Sequence, residues 1–77
     1  MPGTSAASPR LVRIIVDGHP EDVPDGANVL DVLRQRGEPT THIIVEINGS
    51  FVHPQVYGDT KLHPDDRMEV VYPAFGG

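Results

Sequence analysis

Residues 25–39, DGANVLDVLRQRGEP, predict one helix with both of its ends marked, and the rest of the fold is built around it. Asn28 is a typical N-cap residue, and Asp31 falls three positions later, near the positive end of the helix dipole. At the other end Gly37 suits the left-handed position that follows a helix, and Pro39 prevents the helix from continuing. We therefore expect a helix that begins after Asn28 and ends before Gly37.

The apolar residues of this helix indicate which side of it is buried. They recur at the spacing that places them on one side of an α-helix, which is typical of a helix that packs against a sheet. Arg34 and Arg36 occupy the last turn, where positive charge is favourable. The apolar stripe consists of Val29, Leu30, Val32 and Leu33.

Before the helix, residues 10–24 (RLVRIIVDGHPEDVP) predict a β-hairpin. Asp17 and Gly18 form a strong two-residue turn signal, because both central positions of a type I′ turn need a positive φ. The second arm, around residues 21–24, is polar and bracketed by prolines, which predicts a short edge strand. Val12, Ile14 and Val16 are expected on one face of the first strand, and Leu11, Arg13 and Ile15 on the other.

After the helix, residues 42–52 (HIIVEINGSFV) predict a strand, a turn at Asn48–Gly49 and a short return strand. Residues 67–72 (RMEVVY) alternate between the two faces of a final strand. Between them, residues 53–66 contain three turn signals and no helical periodicity, so a connection is expected there. Val56, Tyr57 and Leu62 are the residues expected to hold this connection against the core.

This order of elements predicts an α+β protein, in which one main helix packs across one face of a mixed sheet. The β-grasp (ubiquitin-like) arrangement fits, with the last strand parallel to the first and beside it. A ferredoxin-like fold would need a second long helix, which the sequence lacks. We expect a disordered N-terminal tail over residues 1–9, a β-grasp domain over residues 10–73 and a flexible C-terminal tail over residues 74–77.

Composition narrows the possible functions. A chain of 77 residues can bury only a small core, which argues against a deep catalytic pocket. With no cysteine it has no thiol nucleophile and no thiolate metal ligand. A net charge of −5 disfavours nucleic-acid binding, since phosphate contacts need clustered Lys and Arg. The sequence has neither a membrane-spanning run nor a secretory signal, so we expect a cytoplasmic protein that is monomeric when free.

Four histidines and a pair of aspartates are the remaining candidates for chemistry. The histidines lack the close spacing of metal ligands and adjoin predicted turns, so we expect them to be exposed and expect no bound metal or cofactor. Asp65 and Asp66 could form an acid–base pair, but a turn with both carboxylates in water fits their position before the last strand better. The histidines are His19, His42, His53 and His63.

The sequence finishes with EVVYPAFGG, residues 69–77, in which a predicted central strand is followed by Gly76 and Gly77. Terminal residues are often frayed, and a tail of this kind can be structureless without any role. Two glycines also allow an extended tail to enter a narrow site of another protein without steric hindrance. The residues alone leave both interpretations open.

The sequence resembles the ubiquitin-like sulfur-carrier proteins of the ThiS/MoaD family over about residues 11–77. The resemblance is carried by the helix start, by VEINGSFV and LHPDDRMEVV, and by the final two glycines. It is closer to the thiamin-type carriers, since the Phe-Ala-x-x-Arg-like segment typical of molybdopterin carriers is missing. Asp65 and Asp66 stand where the family commonly has Gly-Asp, and most members lack an N-terminal tail. The matching positions are 28–33, 45–52, 62–71, Gly76 and Gly77.

The resemblance implies that the protein is a co-substrate and not an enzyme. In such carriers an E1-like adenylyltransferase uses ATP to adenylate the terminal carboxylate, here that of Gly77 next to Gly76. A persulfide donor then supplies the sulfur of a thiocarboxylate, which thiazole synthase uses in thiamin synthesis. The alternatives are another acceptor (molybdopterin, cysteine or homocysteine, or a tRNA base), a ubiquitin-like modifier of lysines, or an inert adaptor.

Partner binding is expected on the outward face of the sheet and on the aromatic residue before the two glycines. Aromatic and aliphatic side chains dominate most protein docking patches. Phe75 could instead fold back onto the core, because it lies outside the strand alternation. The predicted partner-binding residues are Leu11, Ile15, Val71 and Phe75.

Overall fold

Five strands, one α-helix and one short 3₁₀ helix make up residues 10–74, the part of the chain that the computed structural model describes. The predicted tail of residues 1–9 lies outside the described residues. The elements are β1 (Leu11–Val16), β2 (His19–Pro24), α1 (Val29–Gln35), β3 (Ile44–Ile47), β4 (Ser50–Val52), the 3₁₀ helix (Pro54–Asp59) and β5 (Arg67–Val71).

The strands form one mixed sheet in the order β2-β1-β5-β3-β4. β1 and β5 are parallel, and the other three neighbouring pairs are antiparallel. The last strand therefore lies at the centre, beside the first, with a hairpin on each side. This confirms the predicted β-grasp arrangement. Within residues 10–74 there is no helix long and apolar enough to span a membrane.

Both predicted two-residue turns are confirmed by the backbone. Asp17 and Gly18 have φ values of 49° and 83°, and Asn48 and Gly49 have values of 53° and 84°. These are the left-handed conformations that a type I′ turn requires at both central positions. The first turn is so tight that β2 already begins at His19, two residues earlier than the sequence predicted. The prolines of β2 are tolerated because this strand is at an edge of the sheet.

The helix begins and ends where the sequence predicts. Its N-terminus has a capping box, in which the Asp31 amide donates to Asn28 Oδ1 (2.8 Å) and the Asn28 amide donates to Asp31 Oδ2 (3.1 Å). At its C-terminus Gly37 has a φ of 71°, and the Glu38 amide donates to the Leu33 carbonyl (2.8 Å). This is a Schellman motif, which satisfies carbonyls that the helix itself leaves free.

The core lies between α1 and one face of the sheet. The helix contributes the buried residues Val29, Val32 and Leu33, which confirms the predicted apolar stripe, while Leu30 is partly buried against the same core. The other face of the sheet carries no covering element among the described residues, and we call it the open face. The sheet contributes Ile14, Val16, Val23, Val45, Val52, Met68 and Val70 to the core.

The connection between β4 and β5 contains a 3₁₀ helix that the sequence did not predict. Its six residues make only about two turns, which are too few to show a helical period in the sequence. Tyr57 and Leu62 are buried and hold the segment on the core, as predicted. Val56 is 41% exposed, so its predicted role in the core is wrong. Val56 lies on the outer side of the 3₁₀ helix, whereas its neighbour Tyr57 lies on the side that faces the core.

Candidate functional site

The C-terminal tail continues from the centre of the sheet. β5 ends at Val71 and leads into Tyr72, Pro73 and Ala74, the last residues that the structure describes. Phe75, Gly76 and Gly77, the predicted docking aromatic and the predicted site of adenylation, lie outside the described residues. The strand that carries the tail pairs with β1 only at its start, at Arg67 and Met68, and with β3 as far as Val71, so β3 is the strand that holds the end of β5 from which the tail leaves.

Tyr72 ties the root of the tail to the end of the helix. Its hydroxyl donates to Glu38 Oε1, although the residue remains 55% exposed. The other carboxylate oxygen, Glu38 Oε2, accepts from Arg36 Nε and Nη2, both at 3.3 Å. The residue that follows β5 is therefore linked to the C-cap of α1 through one carboxylate.

Arg36 extends this link to the first hairpin. Its Nη1 donates to Glu21 Oε2, and its Nη2 lies 3.8 Å from Asp17 Oδ2. Asp17 Oδ1 in turn accepts from the Val70 amide on the central strand (3.0 Å). One half-buried guanidinium thus connects the helix, the hairpin and the last strand. The sequence pointed only to a favourable charge in the last helical turn, since ion pairs between distant residues leave no local pattern.

The predicted docking residues of the sheet all lie on the open face, but they do not lie at the same end of it. Leu11 is 59% exposed, Ile15 is half-buried and Val71 is 42% exposed. In the parallel pairing Ile15 lies opposite Arg67, so Val71 lies four residues beyond this point and Leu11 four residues before it. At about 3.3 Å per residue, Leu11 and Val71 are roughly 26 Å apart along the strands. The structure does not bring the three together into one patch.

Val71 has different neighbours from those that the sequence suggested. It lies opposite Ile44 on β3, at the end of the sheet from which the tail leaves. In the next row on the same face, Glu69 lies opposite Glu46, and Glu46 lies opposite Phe51. We call these five residues the tail-end patch. Sequence reasoning missed Ile44 and Phe51, because their position beside Val71 follows from strand register and not from local pattern.

At the opposite end of the sheet, the aspartate pair turns out to be structural. Asp66 Oδ2 accepts from the His63 amide (2.8 Å), and Asp66 Oδ1 accepts from Asn48 Nδ2 (3.0 Å). Asn48 Oδ1 accepts from the Arg67 amide (2.9 Å), so the turn after β3 is joined to the start of β5. The expectation that both carboxylates lie in water is therefore wrong for Asp66, whose side chain is only 17% exposed. Asp65 is exposed.

The remaining ionisable groups of the described residues do not converge on a site. The Arg13 guanidinium lies 3.0 Å from the carboxylate of Asp22 and lowers its pKa. Burial raises the pKa of the Tyr57 phenol. All four histidines are exposed, as predicted. In residues 10–74 there is no pocket and no cluster of acidic or histidine side chains that could hold a metal ion.

The fold and its tail define a class of protein, a β-grasp domain whose central strand runs into a Gly-Gly end. Comparison with known families is more specific: the chain belongs to the ThiS family, whose model matches residues 8–77. This membership supports a sulfur-carrier role in thiamin biosynthesis, in which the chain is not itself a catalyst. Comparison with curated proteins found no match.

Solved structures agree with the family match. The chain is similar to the crystal structure of a thiamine biosynthesis protein (ThiS) from Geobacter metallireducens, with 25% identity and a TM-score of 0.76, over 86% of this chain and 100% of that one. It is also similar to an NMR solution structure of a thiamine biosynthesis protein from the same organism. There the identity is 25% and the TM-score 0.69, over 86% of this chain and 88% of that one.

Proposed function

We propose that this protein carries sulfur as a thiocarboxylate on Gly77 and donates it to the formation of the thiazole ring of thiamin. The observation that carries the proposal is the match to the ThiS family, which extends through residue 77 and so includes both terminal glycines. The thiamine biosynthesis proteins of similar structure support the same pathway. The folded domain then serves as the handle by which a partner holds the tail.

The proposed chemistry has three steps, all in the active sites of partner proteins. A carboxylate oxygen of Gly77 attacks the α-phosphorus of ATP in an E1-like adenylyltransferase, and pyrophosphate leaves. The terminal sulfur of a persulfide attacks the acyl carbon, AMP leaves and an acyl disulfide forms. A thiolate then attacks the donor-side sulfur, which releases the thiocarboxylate and leaves a disulfide between donor and thiol.

Glycine suits both of the last positions in this scheme. Neither Gly76 nor Gly77 has a Cβ, so the acyl carbon can be approached from either side and the tail can take any allowed backbone conformation. A side chain at either position would narrow the approach of ATP and of the persulfide. The proposed steps use ATP and reduced sulfur compounds, and the proposal therefore keeps the cytoplasmic location expected from the sequence.

Adenylation can be tested by pyrophosphate exchange. The protein is mixed with ATP, labelled pyrophosphate and the purified E1-like adenylyltransferase of the same organism, and labelled ATP is measured. We expect exchange with the full chain and none with a variant that lacks Gly76 and Gly77. Both proteins should unfold at the same urea concentration, because the deleted residues follow the last strand. Equal exchange by the two proteins would refute adenylation at this end.

The acceptor can be tested with the thiocarboxylate form of the protein. It is supplied to purified thiazole synthase with its small-molecule substrates, and in parallel reactions to acceptor systems for molybdopterin, for cysteine or homocysteine, and for tRNA. We expect sulfur to be transferred fastest in the thiazole reaction. Faster transfer to another acceptor would overturn the thiamin assignment, and adducts on lysines of other proteins would identify a protein modifier.

A further inference from the structure

The last strand extends beyond the first strand at the end of the sheet from which the tail leaves. β1 pairs with β5 only at Arg67 and Met68, whereas β3 pairs with it as far as Val71. On the side where β1 has ended, the Val70 amide donates to a side chain, Asp17 Oδ1 (3.0 Å). Asp17 is itself fixed there, because its own amide donates to the Met68 carbonyl (2.9 Å). A side chain thus takes the place of a strand beside the end of β5.

From Asp17 a series of side-chain contacts leads back to the residue that follows the strand. Arg36 Nη2 lies 3.8 Å from Asp17 Oδ2 and donates to Glu38 Oε2 (3.3 Å). The Tyr72 hydroxyl donates to the other oxygen of Glu38. Because Asp17 also accepts from the Val70 amide, the series begins and ends at positions two residues apart in the chain, Val70 and Tyr72. We call Asp17, Arg36, Glu38 and Tyr72 the tail-root network.

Hydrogen bonding, more than burial, determines where Tyr72 lies. The residue is 55% exposed, while the side chain of Glu38 is only 17% exposed and also accepts from Arg36. A hydrogen bond to an ionised carboxylate is stronger than one between neutral groups. Pro73 follows, which restricts Tyr72 to extended conformations and has a fixed φ of its own. The direction of the chain at Tyr72 is therefore passed on to Ala74.

The tail-root network lies on the helix side of the sheet, and the tail-end patch lies on the open face. Tyr72 continues the alternation of Met68 and Val70, which are buried on the helix side, whereas Val71 is exposed on the other side. The other members of the network come from the first turn and from the end of α1. An effect of the network on the tail therefore does not require contact with a partner on the open face.

We propose that the tail-root network sets the direction in which the tail leaves the domain, with Tyr72 and Glu38 as positioning residues for the reactions of Gly77. This inference rests on the proposed function. A tail whose root already points in one direction loses less conformational freedom when it enters an active site, so more encounters lead to reaction. If the network only stabilised the fold, its loss would lower the Tm and leave the reaction of the folded protein unchanged.

The proposal is tested by steady-state pyrophosphate exchange with the purified adenylyltransferase, using Tyr72→Phe, Glu38→Ala and the double variant. We expect kcat/KM to fall roughly three- to tenfold in each single variant, since each loses the same charge-assisted hydrogen bond. The double variant should fall no further than Glu38→Ala, because the two residues act through one contact. The matched control Asp22→Asn breaks the exposed ion pair with Arg13, which has no link to the tail, and should keep the natural kcat/KM.

A second measurement tests the network in the free protein, without any enzyme. NMR relaxation gives the order parameter of the Ala74 amide, which reports its motion on the picosecond to nanosecond timescale. We expect a lower order parameter in Tyr72→Phe and in Glu38→Ala than in the natural protein, and no change in Asp22→Asn. Thermal unfolding of each variant shows that it is folded at the assay temperature, so a lower kcat/KM cannot be attributed to unfolding.

The outcomes separate this proposal from the proposed function. An unchanged kcat/KM in Tyr72→Phe, an equal loss in Asp22→Asn, or losses that multiply in the double variant would overturn the positioning role while exchange by the natural protein upheld the proposed function. A loss in Tyr72→Phe with none in Glu38→Ala would also overturn it, in favour of a direct contact between the hydroxyl and the enzyme. So would an unchanged Ala74 order parameter in both variants. No exchange by the natural protein would refute the proposed function, and with it this inference.

Discussion

At the scale of single residues, Asp65 shows how one unfavourable backbone angle is tolerated. Its φ of 71° lies in the left-handed region, and its amide is held there by a hydrogen bond to the Arg13 carbonyl (2.8 Å). Asp is one of the few non-glycine residues that adopt this conformation readily. This explains how an aspartate can occupy the turn before β5, at a position where glycine would adopt the same angle without strain.

A β-branched residue at this position should be destabilising. We expect Asp65→Val to lower the free energy of unfolding by about 1–2 kcal/mol, because valine is strained at a positive φ. Asp65→Gly should change it by less than about 1 kcal/mol, since relief of strain is offset by a more flexible unfolded chain. Urea unfolding measures both. If Asp65→Val were as stable as the natural protein, residue 65 would not be held in the left-handed conformation.

The ion pair between Arg13 and Asp22 predicts a small dependence of stability on pH. Arg13 lowers the pKa of Asp22 below its usual value of 3.8, so the folded state binds this proton less readily than the unfolded state. The pair is therefore stabilising above the unfolded pKa, and this contribution is lost as the pH falls through the folded pKa. Both side chains are largely exposed, which keeps the effect small.

The comparison variant for this pair is Asp22→Asn. At pH 7 this variant should unfold at a lower urea concentration than the natural protein. Well below pH 3.8 the two proteins should unfold at the same urea concentration. High salt should reduce the difference at pH 7 because it screens the pair. A difference that persisted unchanged in acid would show that packing of Asp22, and not its charge, is responsible.

At the scale of elements, the stability of α1 depends on the N-cap that the sequence predicts. Asn28 caps α1 through its side-chain oxygen, and its Nδ2 donates to the Gly58 carbonyl in the 3₁₀ helix (3.0 Å). We expect Asn28→Ala to lower the free energy of unfolding by about 1–2 kcal/mol, because both bonds are lost. Asn28→Asp keeps the cap and loses only the bond to Gly58. In urea unfolding, equal losses in the two variants would show that the cap itself contributes little.

The elements that could be predicted from sequence are those with local signals. α1 has its cap at Asn28 and its stop at Gly37, and both hairpins have turns that need a positive φ. The 3₁₀ helix and the exposure of Val56 could not be predicted, because a helix of one or two turns has no readable period. Strand register is also non-local, which is why the sequence grouped Leu11 with Val71 although the strands hold them far apart.

At the scale of the whole molecule, the structure describes a folded domain, and the proposed reaction takes place on residues that follow it in the sequence. Within the domain Arg36 connects the helix, the first hairpin and, through Glu38, Tyr72 at the root of the tail. The bonds of Arg36 to Asp17 and Glu21, and that of Tyr72 to Glu38, could not be read from the sequence, since they join residues that are distant along the chain. They fix where the tail begins, while the proposed chemistry belongs to residues after Ala74.

The most direct measurement is the intact mass of the protein after incubation with ATP, the adenylyltransferase, a persulfide donor and a thiol that releases the thiocarboxylate from the acyl disulfide, followed by fragmentation to locate the change. We expect a mass increase equal to the replacement of one oxygen by sulfur, located at Gly77. No such change is expected when ATP is omitted or when Gly76 and Gly77 are deleted. An unchanged mass under complete conditions, or sulfur located elsewhere in the chain, would refute a thiocarboxylate at Gly77.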